Sequence, residues 1–307
     1  MTKISIVIPV YQNEFNLKPL YEDIKEKFIN KIDFEYEIVM VDDGSTDNSW
    51  QVMKELAQID KNIKLIHLSR NFGAGAATLC GFANSTGDCA ILKAADLQDP
   101  TELLLQLYDK WKEGYNVIVT LRENREDKSL FSSLYYKLIK KFVFSNMPPN
   151  GFDVGLLDRK AINALVSLDE KDSALGMQIL WMGFKSTAVK YTRKIRKIGK
   201  SQWTFSKKLK LVLDSFYSFS ALPITLVTII GTLSVFASLL WAISLFIAKI
   251  CGNIPVSGYT SIILFILFSF GTIMLTLGIL GGYIWRILNA SRKRPLYIIE
   301  EKINEND

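Results

Sequence analysis

The chain has 307 residues, of which 49% are hydrophobic, and its formal net charge is +6 at pH 7. This length suits one large domain with a smaller module, and the hydrophobic content is high for a soluble protein. The basic residues concentrate in 193–210 and 286–294, beside the apolar C-terminal third. This placement favours a membrane surface over nucleic acid, for which no helix-turn-helix, zinc-finger or RNP-like pattern is visible.

Strands and helices are predicted to alternate over the first 120 residues. Apolar, mostly β-branched segments predict strands at 3–10, 36–41, 64–69, 89–92 and 117–120. Helical patterns lie between them at 15–29, from about 49, at 73–85 and from 100. This alternation predicts an α/β fold with a doubly wound, mostly parallel sheet. Ligands bind such sheets beyond the carboxyl ends of the strands, where the loops 11–14, 42–47 and 93–99 are expected to meet.

The C-terminal third contains two stretches without a charged residue, 221–248 and 251–285. Each exceeds the ~20 residues that span hydrocarbon, so the sequence predicts two transmembrane helices, at about 221–248 and 259–286. Two buried core helices are the alternative, which these lengths disfavour. Basic residues flank the outer ends of this hairpin, and only Lys249 lies in the turn, so the positive-inside rule predicts that both termini are cytosolic.

The predicted organisation has four parts. They are a cytosolic catalytic domain over 1–204, an interfacial amphipathic segment over 205–220, the two transmembrane helices within 221–288 and a cytosolic tail over 289–307. Three cysteines without metal-type spacing agree with a reducing compartment for the soluble part.

Two acidic residues, Asp42 and Asp43, follow the second predicted strand. Carboxylates at the end of a strand can accept hydrogen bonds from a nucleotide base or ribose. The residues that follow, 44–47, are typical of a turn or a helix N-cap. The residues alone leave these two interpretations equally open.

The segment 95–100, Ala-Asp-Leu-Gln-Asp-Pro, follows the fourth predicted strand. Asp96 and Gln98 are expected to present oxygens on one side of an extended segment, which suits Mg²⁺ or Mn²⁺ bridging a diphosphate. Asp99 is instead predicted to cap the next helix, because Pro100 and Glu102 follow at the positions that favour a helix start.

Small residues from 71 to 77 open the third predicted helix. A dinucleotide fingerprint would need a third glycine and the first strand, so close packing of the helix on the sheet is the preferred interpretation. His67 is the one histidine of the sequence. It lies inside the third predicted strand and is interpreted as a core residue rather than a ligand or base.

Four motifs together resemble those of family 2 glycosyltransferases with the GT-A fold. They are Ile-Val-Ile-Pro-Val-Tyr (6–11), Val-Asp-Asp-Gly-Ser-Thr-Asp (41–47), Asn-Phe-Gly (71–73) and Ala-Asp-Leu-Gln-Asp-Pro (95–100). Their order is similar to the polyprenyl-phosphate branch, which includes dolichyl-phosphate mannose synthase and bactoprenol glucosyltransferases. The segment 153–159 resembles the part of that branch that carries its catalytic Asp, and 196–203 resembles its Arg-x-x-Gly-x-Ser-Lys loop. The resemblance covers nearly the whole chain.

The resemblance implies an inverting transfer from a nucleotide-diphosphate sugar, expected to be a UDP-sugar, to a polyprenyl phosphate of the undecaprenyl type. It implies Mg²⁺ or Mn²⁺ as cofactor, a multi-pass protein of the plasma (inner) membrane, a lipid bilayer as partner and a homo-oligomer. It also implies Asp153 as the catalytic residue, with Asp96 and Gln98 as metal ligands. The residues expected at the nucleotide are Pro9, Tyr11, Glu14, Asp42 and Asp43. The residues expected at the acceptor phosphate are Arg122, Arg125, Arg196, Lys200 and Ser201.

The chain departs from the pattern of the branch at three positions. The branch usually reads Asp-Ala-Asp-Leu-Gln, whereas Ala94 replaces the first Asp here; Asn13 stands where Glu is common, and Gln202 replaces a Lys. For Arg122 and Arg125 a solvated charge run is an equally open interpretation. Two alternative functions stay open: a transferase for another acceptor hydroxyl, and a catalytically impaired membrane scaffold. A processive polysaccharide synthase is disfavoured, because the sequence contains no Gln-x-x-Arg-Trp motif.

Overall fold

The computed structural model describes residues 2–123, 130–145, 147–148, 151–168, 170, 173–193, 212, 214–251 and 258–304. The chain forms two compact units, one made of 1–211 with 295–307 and the other of 212–294. The larger unit is therefore discontinuous in sequence. The domain boundaries predicted above remain predictions.

Eight strands form one mixed sheet in the larger unit. They are β1 (Lys3–Val10), β2 (Glu35–Asp42), β3 (Ile63–Leu68), β4 (Cys89–Leu92), β5 (Val117–Arg122), β6 (Asp153–Asp158), β7 (Ser186–Tyr191) and β8 (Ile299–Ile303). The order across the sheet is β7-β5-β6-β4-β1-β2-β3-β8. Neighbours from β4 to β3 are parallel, as are β5 and β7, whereas β6 and β8 run antiparallel to their neighbours. The predicted mostly parallel α/β sheet is confirmed.

Seven of the described helices belong to this unit. They are α1 (Glu14–Lys27), α2 (Ser49–Ile59), α3 (Ala74–Ala83), α4 (Leu103–Lys112), α5 (Leu130–Phe142), α6 (Arg159–Ser167) and α7 (Leu175–Trp181). The central strands are buried on both faces. In β1, Ile6 and Ile8 belong to one core cluster, and Val7, which points to the opposite face, belongs to the other. This burial explains why the central strands are almost continuously apolar in sequence.

Helix α3 lies very close to β1 and β2. A Cβ atom added at Gly81 would lie 2.3 Å from Val7 Cγ1 and 3.3 Å from Val41 Cγ2. Ala77 is also fully buried, whereas an added Cβ at Gly75 would have no neighbour within 4 Å. Close packing thus accounts for some of the small residues of α3 and not for all of them.

Because of this close packing, one added methyl group at Gly81 should destabilise the protein. We expect Gly81→Ala to lower the free energy of unfolding by about 1–3 kcal/mol, the usual cost of overpacking a core. Gly75→Ala, in the same helix, is the matched control and should not destabilise the protein. Thermal unfolding of both variants in detergent measures the difference, and equal melting temperatures would contradict the packing argument.

The C-terminal residues return to the sheet as β8, an edge strand beside β3. The Ser69 N–H donates to the Ile298 carbonyl over 3.0 Å. At the far end, Asn304 Nδ2 donates to the Ile63 carbonyl over 3.0 Å and to the Ala57 carbonyl over 3.4 Å. The sequence pattern of 289–307 predicts a cytosolic tail and gives no signal for this strand.

The smaller unit contains α8 (Leu222–Ile250) and α9 (Tyr259–Ser291). Within them, the windows Leu222–Trp241 and Phe268–Ser291 have mean hydropathies of 2.0 and 1.5 and are not buried in the protein. By length and composition both helices suffice to cross a membrane. The α9 side chain Arg286 donates to Asp214 Oδ1 over 2.6 Å and to Ser218 Oγ over 2.8 Å, so an ion pair fixes residues 214–219 against α9. Half of the predicted interfacial segment, residues 205–211 and 213, lies outside the described residues.

Candidate active site

Asp42, predicted to bind the nucleotide, is the last residue of β2 and is fully buried. Its Oδ2 accepts a hydrogen bond from the Ser45 N–H over 3.2 Å and lies 2.7 Å from Nδ1 of His67. Its other oxygen, Oδ1, has no partner among the described residues.

His67 lies in β3 as predicted, but it is not a core residue. Its side chain is 20% exposed and stacks on Trp50 with 4.8 Å between ring centroids.

Asp43 joins the end of β2 to the start of α3. Its two oxygens accept hydrogen bonds from the N–H groups of Phe72 and Gly73 over 2.7 and 2.9 Å. Burial raises the pKa of Asp43, and the two amide hydrogen bonds act against this rise. These are the contacts of a carboxylate at a helix N-terminus. Gly44 has a φ of +66°, and an added Cβ would lie 2.5 Å from the Arg70 carbonyl carbon, so only glycine fits this turn.

The loop after β1 is tied to the same turn. The Gln12 N–H donates to Ser45 Oγ over 3.0 Å, and Glu14 Oε2 accepts from the Asn48 N–H over 3.0 Å. The side chain of Glu14, a predicted nucleotide contact, is therefore bound to the start of α2. Pro9 and Tyr11 lie at the carboxyl end of β1. Because β1 separates β2 from β4, the turn after β2 is about 10 Å, or two strand spacings, from the end of β4, whereas the end of β1 is directly beside β4.

The acidic loop, which we define as residues 96–99, follows β4. The expectation of an extended segment is wrong, because Leu97 has a φ of +57° and the Gln98 N–H donates to Asp96 Oδ1 over 3.3 Å in a tight turn. The expectation that Asp99 caps the next helix is also wrong. That helix, α4, begins at Leu103, and Asp99 Oδ1 accepts from the Tyr191 hydroxyl over 2.9 Å. Burial raises the pKa of Asp99.

The predicted catalytic residue, Asp153, is paired with Arg122. The guanidinium donates from Nε to Asp153 Oδ2 over 2.7 Å and from Nη2 to Oδ1 over 2.9 Å, a bidentate contact. Arg122 ends β5, and Asp153 begins the antiparallel β6 opposite Thr120, so both lie at the same edge of the sheet. Burial lowers the pKa of Arg122, but Asp153 and Tyr191 together raise it, and the net result is a pKa above the usual value. The guanidinium therefore stays charged.

Tyr191, the last residue of β7, connects this ion pair to the acidic loop. Its hydroxyl lies 2.9 Å from Asp99 Oδ1 and 3.2 Å from Asp153 Oδ2, and Arg122 Nε donates to it over 3.3 Å. Burial and the two carboxylates raise the pKa of Tyr191, so it remains a hydroxyl donor at neutral pH. The sheet thus brings the predicted residues Asp153 and Arg122 within one hydrogen-bond network of the acidic loop.

Two members of this site were not predicted, Tyr191 and Arg193. Arg193 Nη2 lies 3.4 Å from Asp96 Oδ2, and its Nε lies 3.3 Å from Asp99 Oδ1. A signal was present: Tyr191-Thr-Arg193 joins the end of an alternating segment to the start of the basic stretch 193–210. Four predicted acceptor residues lie outside the described part of the chain, namely Arg125, Arg196, Lys200 and Ser201.

The chemistry of the acidic loop fits a divalent cation that arrives with a substrate. Among the described residues, no group of three or more His, Cys, Asp or Glu side chains is placed to hold a metal ion alone. Mg²⁺, however, is commonly held by one or two carboxylates together with substrate phosphates and water. Asp96, whose side chain is 11% exposed, and the nearby Gln98 would supply the protein's oxygens.

The fold and the site define a transferase with a GT-A-like α/β domain. The chain belongs to Glycosyl transferase family 2, whose model matches residues 5–165, and it is a glycosyltransferase. A Bacillus subtilis (strain 168) protein that bears the name glycosyltransferase CsbB is 38% identical over 97% of this chain and 91% of its own length. The bactoprenol glucosyl transferase of Shigella phage SfX is 32% identical over 98% of this chain and 99% of its own.

Among solved structures, a glucosyl-3-phosphoglycerate synthase of Mycobacterium tuberculosis superposes with a TM-score of 0.50 at 16% identity. The match covers 70% of this chain and 76% of that chain. This likeness shows a shared fold.

Proposed function

We propose that this glycosyltransferase moves a sugar, with inversion, from a nucleotide-diphosphate sugar to a polyprenyl phosphate at the cytosolic face of the plasma membrane. The observation that carries the proposal is the network Asp99–Tyr191–Asp153–Arg122. It links the acidic loop, which suits a divalent cation, to an arginine whose side chain is 25% exposed. Relatives named bactoprenol glucosyl transferases, similar over nearly their whole length, support a polyprenyl acceptor.

The donor is proposed to lie along the carboxyl ends of β1, β2 and β4, with its diphosphate at Asp96 and Gln98. The nucleoside would contact Pro9, Tyr11 and the turn built on Asp42 and Asp43, and a UDP-sugar is the expected donor. Mg²⁺ or Mn²⁺, when bound, would offset the charge that develops on the leaving nucleoside diphosphate.

The acceptor needs little help from a general base. A lipid phosphate is already an anion at neutral pH, unlike a hydroxyl acceptor. Asp153 has a side chain that is 41% exposed and is held by Arg122, and we propose that it orients Arg122 and stabilises the oxocarbenium-like sugar. Arg122 is proposed to bind the lipid phosphate, since its planar guanidinium matches phosphate oxygens. Arg125, Arg196, Lys200 and Ser201 remain predicted partners of the same group.

A screen of nucleotide sugars against undecaprenyl phosphate in detergent tests this function. Mass spectrometry of the lipid should show a hexose added to the phosphate with only one or a few donors. If sugar appears on another added acceptor and never on the lipid, the alternative of a hydroxyl acceptor is favoured. If the purified protein neither transfers sugar nor hydrolyses any donor, the impaired scaffold is favoured. Homo-oligomerisation stays a prediction.

The membrane topology has a second line of support besides the basic flanks. The hairpin α8–α9 is preceded by residues of the larger unit and is followed by β8, which pairs with β3 in the sheet of that unit. One folded sheet cannot lie on both sides of a bilayer, so both ends of the hairpin belong on one side. With the positive-inside rule, this side is the cytosol.

We therefore expect the turn between the helices to face outward. A cysteine introduced as Asn253→Cys, in a Cys251→Ser background, should react with an impermeant maleimide added to intact cells. A cysteine introduced as Asn306→Cys in the same background should react only after the cells are opened. Labelling of the second variant in intact cells would overturn the topology.

A further inference from the structure

Arg193 places a positive charge on the carboxylates that the proposed function assigns to a divalent cation. Its guanidinium is close to both Asp96 and Asp99, at 3.4 and 3.3 Å. Charge-assisted hydrogen bonds to carboxylates are usually 2.7–2.9 Å long, so both contacts are loose. Moreover, Nε is buried and has no hydrogen-bond partner among the described residues. The guanidinium thus balances charge here without being tightly held.

A second cation, Lys93, also contacts the acidic loop. Lys93 follows β4 and is only 2% exposed, and its ammonium donates to the Asp99 carbonyl oxygen. The two residues between Lys93 and the acidic loop are Ala94 and Ala95, which offer no carboxylate to a metal. Two protein cations therefore face a loop whose acidic residues are Asp96 and Asp99. A bare divalent cation added here would meet like charge at close range, which is unfavourable at a partly buried site.

We propose that Arg193 is an exchangeable counter-ion of the acidic loop, so that the metal binds together with the donor diphosphate and not before it. This inference rests on the proposed function. A metal–diphosphate complex carries little net charge. When its metal replaces Arg193 at Asp96, its phosphate oxygens become the new partners of Arg193. Arg193 is a binding residue in this scheme: it pairs with the acidic loop before the donor binds and with the donor phosphates afterwards.

The competing interpretation is that Arg193 only fixes the end of β7 to the acidic loop. The two interpretations predict opposite changes in the affinity for the metal ion alone when Arg193 is replaced. If Arg193 is only a structural pin, its loss loosens the loop and weakens every ligand. If it is an exchangeable counter-ion, its loss strengthens the binding of the metal ion alone and weakens the binding of metal with diphosphate.

The test is a Mn²⁺ titration of the full-length protein in detergent, with free Mn²⁺ followed by electron paramagnetic resonance. Without nucleotide, Arg193→Gln should bind Mn²⁺ about tenfold more tightly than the wild type, and Arg193→Lys should stay close to the wild type. Adding Asp96→Asn to Arg193→Gln should remove the gain, which places the new affinity at the acidic loop. Arg292→Gln, at an exposed arginine of the smaller unit, is the matched control and should change nothing.

With UDP present the variant should become the weaker binder. Arg193→Gln should then bind Mn²⁺ and UDP together about tenfold more weakly than the wild type. Equal or weaker binding of Mn²⁺ alone by Arg193→Gln would overturn the counter-ion role. Failure of the proposed function would look different: lipid transfer would be missing with every donor, whatever Mn²⁺ does at Arg193.

Discussion

Replacing Asp96 by Asn should lower turnover by about 1000-fold, the scale of losing one charge-stabilising group in an active site. The acidic loop contains two carboxylates. Asp99 accepts a hydrogen bond from Tyr191, whereas Asp96 accepts one from the Gln98 N–H and is the proposed metal ligand. Asn keeps the size of the side chain and the turn, but removes the charge that would attract Mg²⁺ or Mn²⁺. The measurement is the rate of sugar transfer to undecaprenyl phosphate at saturating donor.

Two controls sharpen this experiment. Asp109→Asn removes an exposed carboxylate that pairs with Lys112 on α4, and it should leave the rate unchanged. Ala94→Asp restores the carboxylate usual in the branch. It should change the rate by less than about tenfold, ~1.4 kcal/mol in barrier, if one carboxylate is enough. The metal assignment is wrong if EDTA and Asp96→Asn both leave transfer intact.

The sequence predicted the elements whose signals are local. The strands β1 to β5 are mostly apolar segments, because the centre of the sheet is buried on both faces, and their predicted bounds are close to the observed ones. The helices α8 and α9 also gave a local signal, because each falls on a long stretch without a charged residue. By contrast, β8 has the sequence Ile-Glu-Glu-Lys-Ile, which looks like a charged tail. It is a strand because it pairs with β3, more than 200 residues earlier, and no local pattern records such a pairing.

The site was predicted in its parts and not in its connections. Motifs located Asp96 and Asp153, and Arg122 was named as a candidate for the acceptor phosphate. Their partners come from distant elements: Tyr191 and Arg193 enter from the end of β7, and His67 reaches Asp42 from β3. The error about Asp99 has the same origin. The local pattern is typical of a helix cap. However, the Asp99 carboxylate accepts a hydrogen bond from Tyr191, 92 residues away, and the helix begins only at Leu103.

Arg122→Gln should lower transfer to undecaprenyl phosphate by at least about 100-fold, and its effect on donor binding should be small. Two hydrogen bonds from a guanidinium to a charged group are worth about 3 kcal/mol together, or about two powers of ten in rate. Arg122 is proposed to give such bonds to the lipid phosphate, whereas the donor lies at the acidic loop. The loss should appear mainly as a higher KM for the lipid, with partial rescue by Arg122→Lys.

Asp153 separates this acceptor role from a role in the chemistry. Asp153→Asn leaves Arg122 in place but removes the negative charge beside the sugar, so kcat should fall more than the KM for the lipid rises. Lys190→Gln is the matched control for both variants, since Lys190 is an exposed cation on β7 one residue before Tyr191, and it should transfer sugar normally. If Arg122→Gln keeps its KM for the lipid and loses donor binding instead, Arg122 belongs to the donor site. The acceptor phosphate would then depend on the basic segment that contains Arg196 and Lys200.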